Sequence, residues 1–412
     1  MRTRNALRYG FRPILATQGL SLYDPTRLDA IPADSERATE TTIIPMPFKQ
    51  FDRSQLKMRN LAARKNRVVF DRDRIDPASE PKQLTERAWS VVRETADRIR
   101  RAREQDRPRI AAFGAHVIKN GLSPVLIRLI EEGWLTHLAT NGAGIIHDWE
   151  FAFLGESSEH VQANMERGEF GLWEETGHYL NLALVVGAYR GLGYGESVGR
   201  FVEEDGLEIP TEQDLLNTIS QANEDPEHAA AAADLLATIR SASLEPGPLR
   251  VEHPYKQAGL QAAAYRLGVP FTAHPMIGHD ILYMHPTNHC AAIGRAAQRD
   301  FLTFAEAISR LEDGVYLSIG SAVMSPMVFE KSMSMAQNLA LQQGSRIENH
   351  YMVVVDLAES QWDWSQGEPP EDHPDYYLRY YKTFSRMGGT LRYACADNRD
   401  FLLGLLQTLE SD

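Results

Sequence analysis

Cysteine is scarce in this sequence, with only Cys290 and Cys395 among 412 residues. Two cysteines cannot form a disulfide framework, and such scarcity is typical of a protein in a reducing compartment, so the chain is expected to be cytoplasmic. Long apolar runs are absent as well. No run approaches the roughly 20 residues that a membrane-spanning helix requires, so no membrane span is expected.

Positive charge is also in short supply, because 43 lysines and arginines face 56 aspartates and glutamates, which gives a net charge of −13. An acidic surface repels nucleic acid and anionic lipid, so neither is expected as a partner. The same surface attracts a cationic small molecule. The proportions of hydrophobic residues (43%) and charged residues (24%) are those of an ordinary globular protein with a large core.

The first 80 residues are predicted to form an irregular arm. Prolines interrupt any regular period there, at Pro13, Pro25, Pro32, Pro45, Pro47 and Pro77. Residues 81–412 are predicted to form the main domain, with a mostly helical insertion at about 156–248.

Within the main domain, short apolar runs alternate with stretches of helix length. The runs predicted as strands are 110–113, 135–140, 269–272, 315–319, 352–355 and 391–394. The stretches predicted as helices are 85–104, 123–132, 174–189, 228–239, 295–311, 326–341, 376–386 and 399–409. Strands without strict polar–apolar alternation are typical of a parallel sheet that is covered on both faces. The sequence therefore predicts a Rossmann-like α/β fold with a doubly wound, mostly parallel sheet.

Small residues follow several of the predicted strands, notably Gly114, Gly142 and the run 320–322. Ligands of open parallel sheets bind beyond the carboxyl ends of the strands, where small residues let the backbone approach a phosphate. The G-x-G-x-x-G fingerprint is missing. Its nearest match, residues 191–195, follows a predicted helix and is interpreted as a helix stop and a loop.

The segments at the strand ends resemble, in the same order, the motifs of deoxyhypusine synthases. Residues 114–121 match the spacing of that family's Thr-Ser-Asn-x-Ile-x-x-Gly motif, and residues 140–148 resemble the bacterial form of its next motif, which ends in His-Asp. Residues 279–285 resemble its Gly-Asp segment, and residues 320–322 resemble its Gly-Gly-Gly strand end. Residues 374–382 align without a gap with its segment Pro-Asp-Glu-Ala-x-x-Trp-x-Lys, which carries the catalytic lysine.

This resemblance, which extends from about residue 107 to the C-terminus, implies an NAD-dependent aminobutyl transferase. In that reaction NAD takes hydride from a polyamine such as spermidine, and Lys382 attacks the resulting imine. The fragment passes to a free amine or a protein lysine, and the stored hydride reduces it, so NAD is regenerated. A homotetramer is also implied. Because the lysine must be neutral when it attacks, burial beside Tyr380, Tyr381 and Phe384 is expected to lower its pKa.

The resemblance also implies which residues line the site. Those expected at the cofactor are Gly114, Ala115, His116, Thr140, Gly142, Ala143, His147, Asp148, Asp280, Gly320, Ser321, Ala322 and Asp397. Those expected at the substrate are Asp375, Tyr376 and Tyr380. Asp280 or Asp375 is expected to hold ammonium groups. Departures from the family pattern at Pro326, Glu330, Tyr376 and Tyr380 leave the donor and the acceptor open.

Two other functions fit parts of the sequence. The first is a metal-dependent hydrolase or isomerase, because a short segment holds four histidines and a cysteine, with Asp280 as a further ligand: His274, His279, His285, His289 and Cys290. No H-E-x-x-H pattern accompanies them. The second is an NAD-binding homologue without catalytic activity, which the substitutions on the substrate side would fit.

Overall fold

The computed structural model describes residues 48–411, except for the side chains of Ser365, Arg379 and Tyr380. Most of the predicted arm, residues 1–47, lies outside this described part. The sheet and its helices belong to one compact unit that begins at Asp52. Within residues 48–411, no helix is both long enough and apolar enough to cross a membrane.

The strands of the described residues are β1 (Asn66–Val69), β2 (Arg109–Phe113), β3 (His137–Thr140), β4 (Glu156–Glu159), β5 (Gly206–Ile209), β6 (Gly247–Arg250), β7 (Phe271–Ala273), β8 (Val315–Ile319), β9 (Tyr351–Asp356) and β10 (Thr390–Cys395). The helices are α1 (Phe70–Asp73), α2 (Glu86–Glu104), α3 (Ala115–Lys119), α4 (Ser123–Glu131), α5 (Gly142–Leu154), α6 (Val161–Glu166), α7 (Glu174–Tyr189), α8 (Tyr194–Glu203), α9 (Glu212–Ser220), α10 (Pro226–Ala242), α11 (Leu260–Leu267), α12 (Cys290–Ser309), α13 (Met324–Gln342), α14 (Arg379–Ser385) and α15 (Asn398–Glu410).

The central sheet has six strands in the order β10-β9-β8-β2-β3-β7, and all neighbours are parallel. If these six strands are numbered as they occur along the chain, the sheet order is 6-5-4-1-2-3, which is the order of a doubly wound dinucleotide-binding fold. The chain builds one half of the sheet outward from β2 and then returns to build the other half from β8. The predicted fold class is therefore confirmed.

The alternation of side chains along each strand explains why the sheet is covered on both faces. In β9, Val353 and Val355 point into the apolar core that includes α2, α4, α5 and α15. Met352 and Val354 point into the opposite core, which α12, α13 and α14 cover. Because both faces are buried, the strands read as continuous apolar runs instead of alternating ones.

Most predicted elements of the sheet are confirmed by the structure. The strand at Val315–Ile319 and the helix at Glu174–Tyr189 have the predicted bounds, and the other five predicted strands differ by one or two residues at an end. The predicted helix 376–386 is wrong in part. A 3-10 turn at Pro374–Tyr377 precedes α14, and Leu378 between them has a non-helical backbone.

The described part of the predicted arm is more regular than expected. Strand β1 pairs antiparallel with β4, and the short helix α1 follows it directly. Arg64, just before β1, forms a buried ion pair with Glu150 of α5, with an N–O distance of 2.6 Å. Residues 60–73 therefore pack on the main domain and are not a loose arm.

Candidate functional site

The strand order reverses between β2 and β8, which are neighbours in the sheet although β3 and β7 lie between them in the chain. Open α/β sheets bind ligands at such a switch point, beyond the carboxyl ends of the strands. Gly114 follows β2 and Gly320 follows β8, and the Gly114 N–H donates to the carbonyl of Ile319 at 3.0 Å. The structure thus brings together two of the predicted small-residue turns.

The two turns are packed too closely to accept side chains. A Cβ added to Gly114 would collide with the carbonyl oxygen of Gly320. Gly320 itself has a φ of +56°, and a Cβ there would collide with the amide of Asn398, the first residue of α15. Glycine at both positions is therefore required by the close packing of the two turns on each other and on α15.

The residues that flank these turns divide into exposed and buried ones. His116 and Ala322 are exposed, whereas Ala115 is partly buried. Ser321 is buried, and its Oγ accepts a hydrogen bond from the Ser325 N–H at 3.1 Å. Helix α13 begins at Met324, and most N–H groups of its first turn are engaged or missing: that of Ser325 donates to Ser321 Oγ, that of Met327 donates to the Val323 carbonyl, and Pro326 has none.

Asp280 lies against the turn that follows β3. A Cβ added to Gly142 would collide with Oδ2 of Asp280, so the glycine makes room for the carboxyl group. Oδ1 of Asp280 accepts a hydrogen bond from the Leu282 N–H at 3.0 Å. Burial raises the pKa of Asp280 to about 6. A carboxyl group that titrates so close to neutrality is typical of functional sites.

Two tyrosine hydroxyls near Asp280 were not predicted from the sequence. Tyr194 is fully buried at the start of α8, and neither its hydroxyl nor that of Tyr283 has a hydrogen-bond partner among the described residues. Burial raises the pKa of both tyrosines, and the negative charge of Asp280 adds to the effect. Buried polar atoms without partners are rare in proteins, so these two hydroxyls are exceptions among the described residues.

The remaining residues predicted on the β3 side have structural roles or partners. Thr140 is buried and its Oγ1 donates to the Phe113 carbonyl at 3.0 Å, which ties β3 to β2, and Ala143 is partly buried in the first turn of α5. Asp148 accepts hydrogen bonds from the backbone of Leu260 (2.8 Å) and Gln261 (2.9 Å). Its carboxylate therefore secures the start of α11 in the interior instead of facing a ligand.

Lys382 makes its contacts within the connection between β9 and β10. Its Nζ lies 3.1 Å from Oε2 of Glu368 and 3.4 Å from the centre of the Tyr376 ring. Hydrogen bonding to Tyr376 and the interaction with Glu368 raise the pKa of Lys382. The predicted lowering of this pKa is wrong, because the carboxylate and the tyrosine stabilise the charged form more than burial opposes it. Glu368 was not predicted from the sequence.

Two other residues predicted at the substrate or the cofactor, Asp375 and Asp397, form hydrogen bonds with residues that are near them in the chain. Oδ2 of Asp375 accepts hydrogen bonds from Ser360 Oγ (2.8 Å) and the Trp362 N–H (3.0 Å). Burial by itself would raise the pKa of Asp375, but these hydrogen bonds outweigh burial and lower the pKa. Asp397 caps α15 by accepting from the Arg399 N–H at 2.8 Å. The side chain of Tyr380 lies outside the described residues.

The histidines of the segment 274–289 are dispersed among separate partners. His274 Nε2 lies 3.1 Å from Thr272 Oγ1, His285 Nδ1 lies 2.7 Å from Thr287 Oγ1, and His289 Nε2 lies 3.8 Å from Asp234. His279 is exposed. Across residues 48–411, no group of three or more histidine, cysteine or acidic side chains could hold a metal ion. The described geometry gives no support to the metal-dependent alternative.

No protein-family model matches this chain, and no curated protein matches it. Among solved structures, it is similar to AgrE in a ternary complex with ornithine and NAD+, at 17% identity and a TM-score of 0.39, over 80% of this chain and 34% of AgrE. It is similar to a conserved putative LOR/SDH protein from Methanococcus maripaludis S2, at 12% identity and a TM-score of 0.39, over 82% and 74% of the two chains.

A third similar structure is ArgZ, an arginine dihydrolase from the ornithine–ammonia cycle in cyanobacteria, at 15% identity and a TM-score of 0.37, over 78% of this chain and 33% of ArgZ. The chain thus spans about a third of the length of AgrE and of ArgZ. Similarities at these identities and TM-scores do not assign a family. The resemblance to deoxyhypusine synthases accordingly stays a prediction from the sequence.

Proposed function

We propose that the chain binds NAD at the carboxyl edge of its sheet and oxidises an amine there. One observation carries the proposal: the strand order reverses between β2 and β8, and the glycine turns at Gly114 and Gly320 meet at that point. This is the position at which doubly wound folds bind dinucleotides.

The residues present fit NAD. Residues 114–116 and 320–322 would hold its diphosphate, since they lie at the carboxyl ends of β2 and β8, where the strand order reverses. Asp280 lies next to the carboxyl end of β3, which is the second strand of the central sheet along the chain, and it would accept hydrogen bonds from a ribose. The hydroxyls of Tyr194 and Tyr283, which have no partner within the described part of the chain, fit a polar ligand at the same place. When bound, NAD supplies a hydride acceptor.

The resemblance to deoxyhypusine synthases extends this proposal to aminobutyl transfer through Lys382. In that form, the neutral amine of Lys382 would add to the carbon of the imine formed by oxidation of spermidine, and the rest of the donor would leave as an amine. The acceptor amine would then displace Lys382 from the fragment, and the hydride taken from spermidine would reduce the new imine. Glu368 and Tyr376 oppose the first of these events, because they stabilise the ammonium form. The transfer is therefore the second candidate, and it requires that a substrate displaces Glu368.

One experiment separates these functions. Purified protein is first titrated with NAD by calorimetry, and NADH fluorescence is then followed with single amines, including spermidine. Binding of NAD and formation of NADH with any amine supports the proposal, whereas failure of NAD to bind overturns it. Binding without NADH formation is the result for an inactive homologue. Borohydride trapping of a spermidine fragment on Lys382, read by mass spectrometry, would establish the transfer, and its absence would leave oxidation alone.

A further inference from the structure

The side chain of Asn398 lies against the switch point of the sheet. Asn398 begins α15, and its Cγ and Oδ1 lie 3.2 Å from the position that a Cβ on Gly320 would take, with Nδ2 closer still. The carbonyl oxygen of Gly320 in turn fills the place of a Cβ on Gly114. The amide of Asn398 therefore contacts the turn after β8, which is itself packed on the turn after β2 where the strand order reverses.

The amide of Asn398 is not used to hold the fold together. It makes no hydrogen bond with any residue in the described part of the chain, and its two polar atoms are accessible in a side chain that is only partly buried. Helix α15 does not need it as a cap, because Asp397 accepts from the Arg399 N–H at 2.8 Å. Asn141 after β3 differs, since its Oδ1 caps α5 by accepting from the Gly144 N–H at 2.9 Å. Asn398 thus keeps two N–H donors and one carbonyl acceptor for a ligand.

The order of the strands indicates which end of a dinucleotide would lie beside Asn398. The strands β2, β3 and β7 form one half of the sheet, and β8, β9 and β10 form the other. In doubly wound folds each half binds one mononucleotide, and the acidic residue for the adenosine ribose belongs to the first half. Asp280 lies against Gly142 after β3, in the first half. Asn398 follows β10 and lies against Gly320 after β8, so it belongs to the second half, on the nicotinamide side.

We infer that Asn398 binds the carboxamide group of NAD and is a specificity-determining residue for the nicotinamide end of the cofactor. The inference rests on the proposed function. A carboxamide carries the same groups as the side chain of asparagine, so the two amides can pair through two hydrogen bonds, each N–H donating to the carbonyl oxygen of the other. The edge of adenine can also pair with an asparagine amide, but adenine belongs to the half of the sheet that contains Asp280.

Two analogues of NAD test this inference by binding alone. In acetylpyridine adenine dinucleotide a methyl group replaces the amino group of the carboxamide, and in nicotinamide hypoxanthine dinucleotide an oxygen replaces the amino group of adenine. Calorimetry with wild-type protein is expected to show about tenfold weaker binding of the acetylpyridine analogue than of NAD, because Oδ1 of Asn398 loses its donor. Equal affinity of wild type for these two dinucleotides overturns the inference.

Variants show whether Asn398 carries this discrimination. Asn398→Ala is expected to bind NAD about tenfold more weakly and to lose the preference for NAD over the acetylpyridine analogue. Asn398→Asp keeps an acceptor for the amino group of the carboxamide and is expected to retain that preference. Asn217→Ala, at an exposed asparagine of α9, is the matched control and is expected to behave as wild type. The urea midpoint of Asn398→Ala is expected to stay close to that of wild type, because the substitution removes no hydrogen bond among the described residues.

The outcomes separate this inference from the proposed function. A preference for NAD over the acetylpyridine analogue that survives Asn398→Ala overturns the inference and leaves NAD binding intact. If Asn398→Ala instead removes discrimination against the hypoxanthine analogue, Asn398 lies at adenine, and the assignment to the carboxamide is wrong. Failure of NAD to bind wild-type protein overturns the inference and the proposed function together. Loss of the acetylpyridine discrimination alone, in a variant that unfolds like wild type, is the result that the inference predicts.

Discussion

The carbonyl oxygen of Gly320 occupies the space that a side chain on Gly114 would need. The two residues are far apart in the chain, but β2 and β8 place them at the same edge of the sheet. Their contact defines the switch point of the fold and the centre of the proposed NAD site.

Gly114→Ala is predicted to disturb both turns. The added methyl group would force one backbone to move, which costs about 1–3 kcal/mol of the free energy of unfolding and weakens NAD binding at least tenfold. Urea unfolding and calorimetry measure the two effects. Gly294→Ala in α12 is the control, because its added Cβ would have no atom within 4 Å. That variant is expected to be neutral or slightly more stable, and equal behaviour of both variants contradicts the close contact.

Asp280→Asn is predicted to change stability in a pH-dependent way. The pKa of Asp280 is about 6 in the folded protein and about 4 in the unfolded chain. The folded state therefore holds the proton more tightly, and stability falls as the pH rises from about 4 to 6. Since asparagine does not titrate, the variant is expected to be more stable than wild type above pH 6, by about 1–2 kcal/mol, and to lose this advantage near pH 4.

The same variant tests the role of Asp280 in binding. An ionised carboxylate is a stronger acceptor for ribose hydroxyls than a neutral amide, so Asp280→Asn is expected to weaken NAD binding about tenfold at pH 8. Wild-type affinity for NAD is expected to rise with pH through about 6, and the affinity of the variant is expected to stay flat. Parallel pH profiles would remove Asp280 from the NAD site.

Arg64→Met is predicted to be strongly destabilising. The side chain of Arg64 is 2% exposed and that of Glu150 is 1% exposed, so the variant leaves a buried carboxylate without its counter-ion. Such a loss costs about 3–5 kcal/mol. The matched control is Arg72→Met, which removes an exposed pair with Asp73 and is expected to cost less than about 1 kcal/mol. The midpoints of thermal unfolding of the two variants measure this difference. Similar midpoints would show that the segment before β1 does not contribute to the stability of the domain.

Glu368→Gln is predicted to make Lys382 more reactive. Glu368 and Tyr376 raise the pKa of the ammonium, and removal of the carboxylate charge weakens that stabilisation. At mildly alkaline pH, an acylating reagent is expected to modify Lys382 faster in the variant than in wild type, as read by peptide mass spectrometry. Lys331, another lysine that is paired with a glutamate, serves as the internal reference. An unchanged rate at Lys382 would mean that Glu368 does not hold it.

The strands of the central sheet could be predicted from the sequence because they are short apolar runs with clear ends. The strand Val315–Ile319, for example, stands between Gly314 and Gly320. Strand β4 was missed because Glu156–Glu159 is polar and is a strand only through pairing with β1. Such pairing depends on a partner far away in the chain and leaves no local pattern.

The candidate site was predictable to a similar extent. The glycine turns and Asp280 were found because they follow strands or lie in a matched motif. Tyr194 and Glu368 were missed, since Tyr194 begins α8 in a glycine-rich stretch that was interpreted as a loop, and Glu368 lies in an irregular connection. His147 was expected at the cofactor, but its Nδ1 lies 2.7 Å from Ser157 Oγ of β4, a contact that no local pattern reveals.

The most direct test of the account is NAD binding to a variant in which the switch point is blocked. Ala322 is exposed next to the two glycine turns, so Ala322→Trp fills the proposed site without disturbing the core. Ser334→Trp, at an exposed position farther along α13, is the control. The account predicts that calorimetry detects NAD binding to wild type and to Ser334→Trp but not to Ala322→Trp. Unchanged binding to Ala322→Trp, or no binding to wild type, would contradict it.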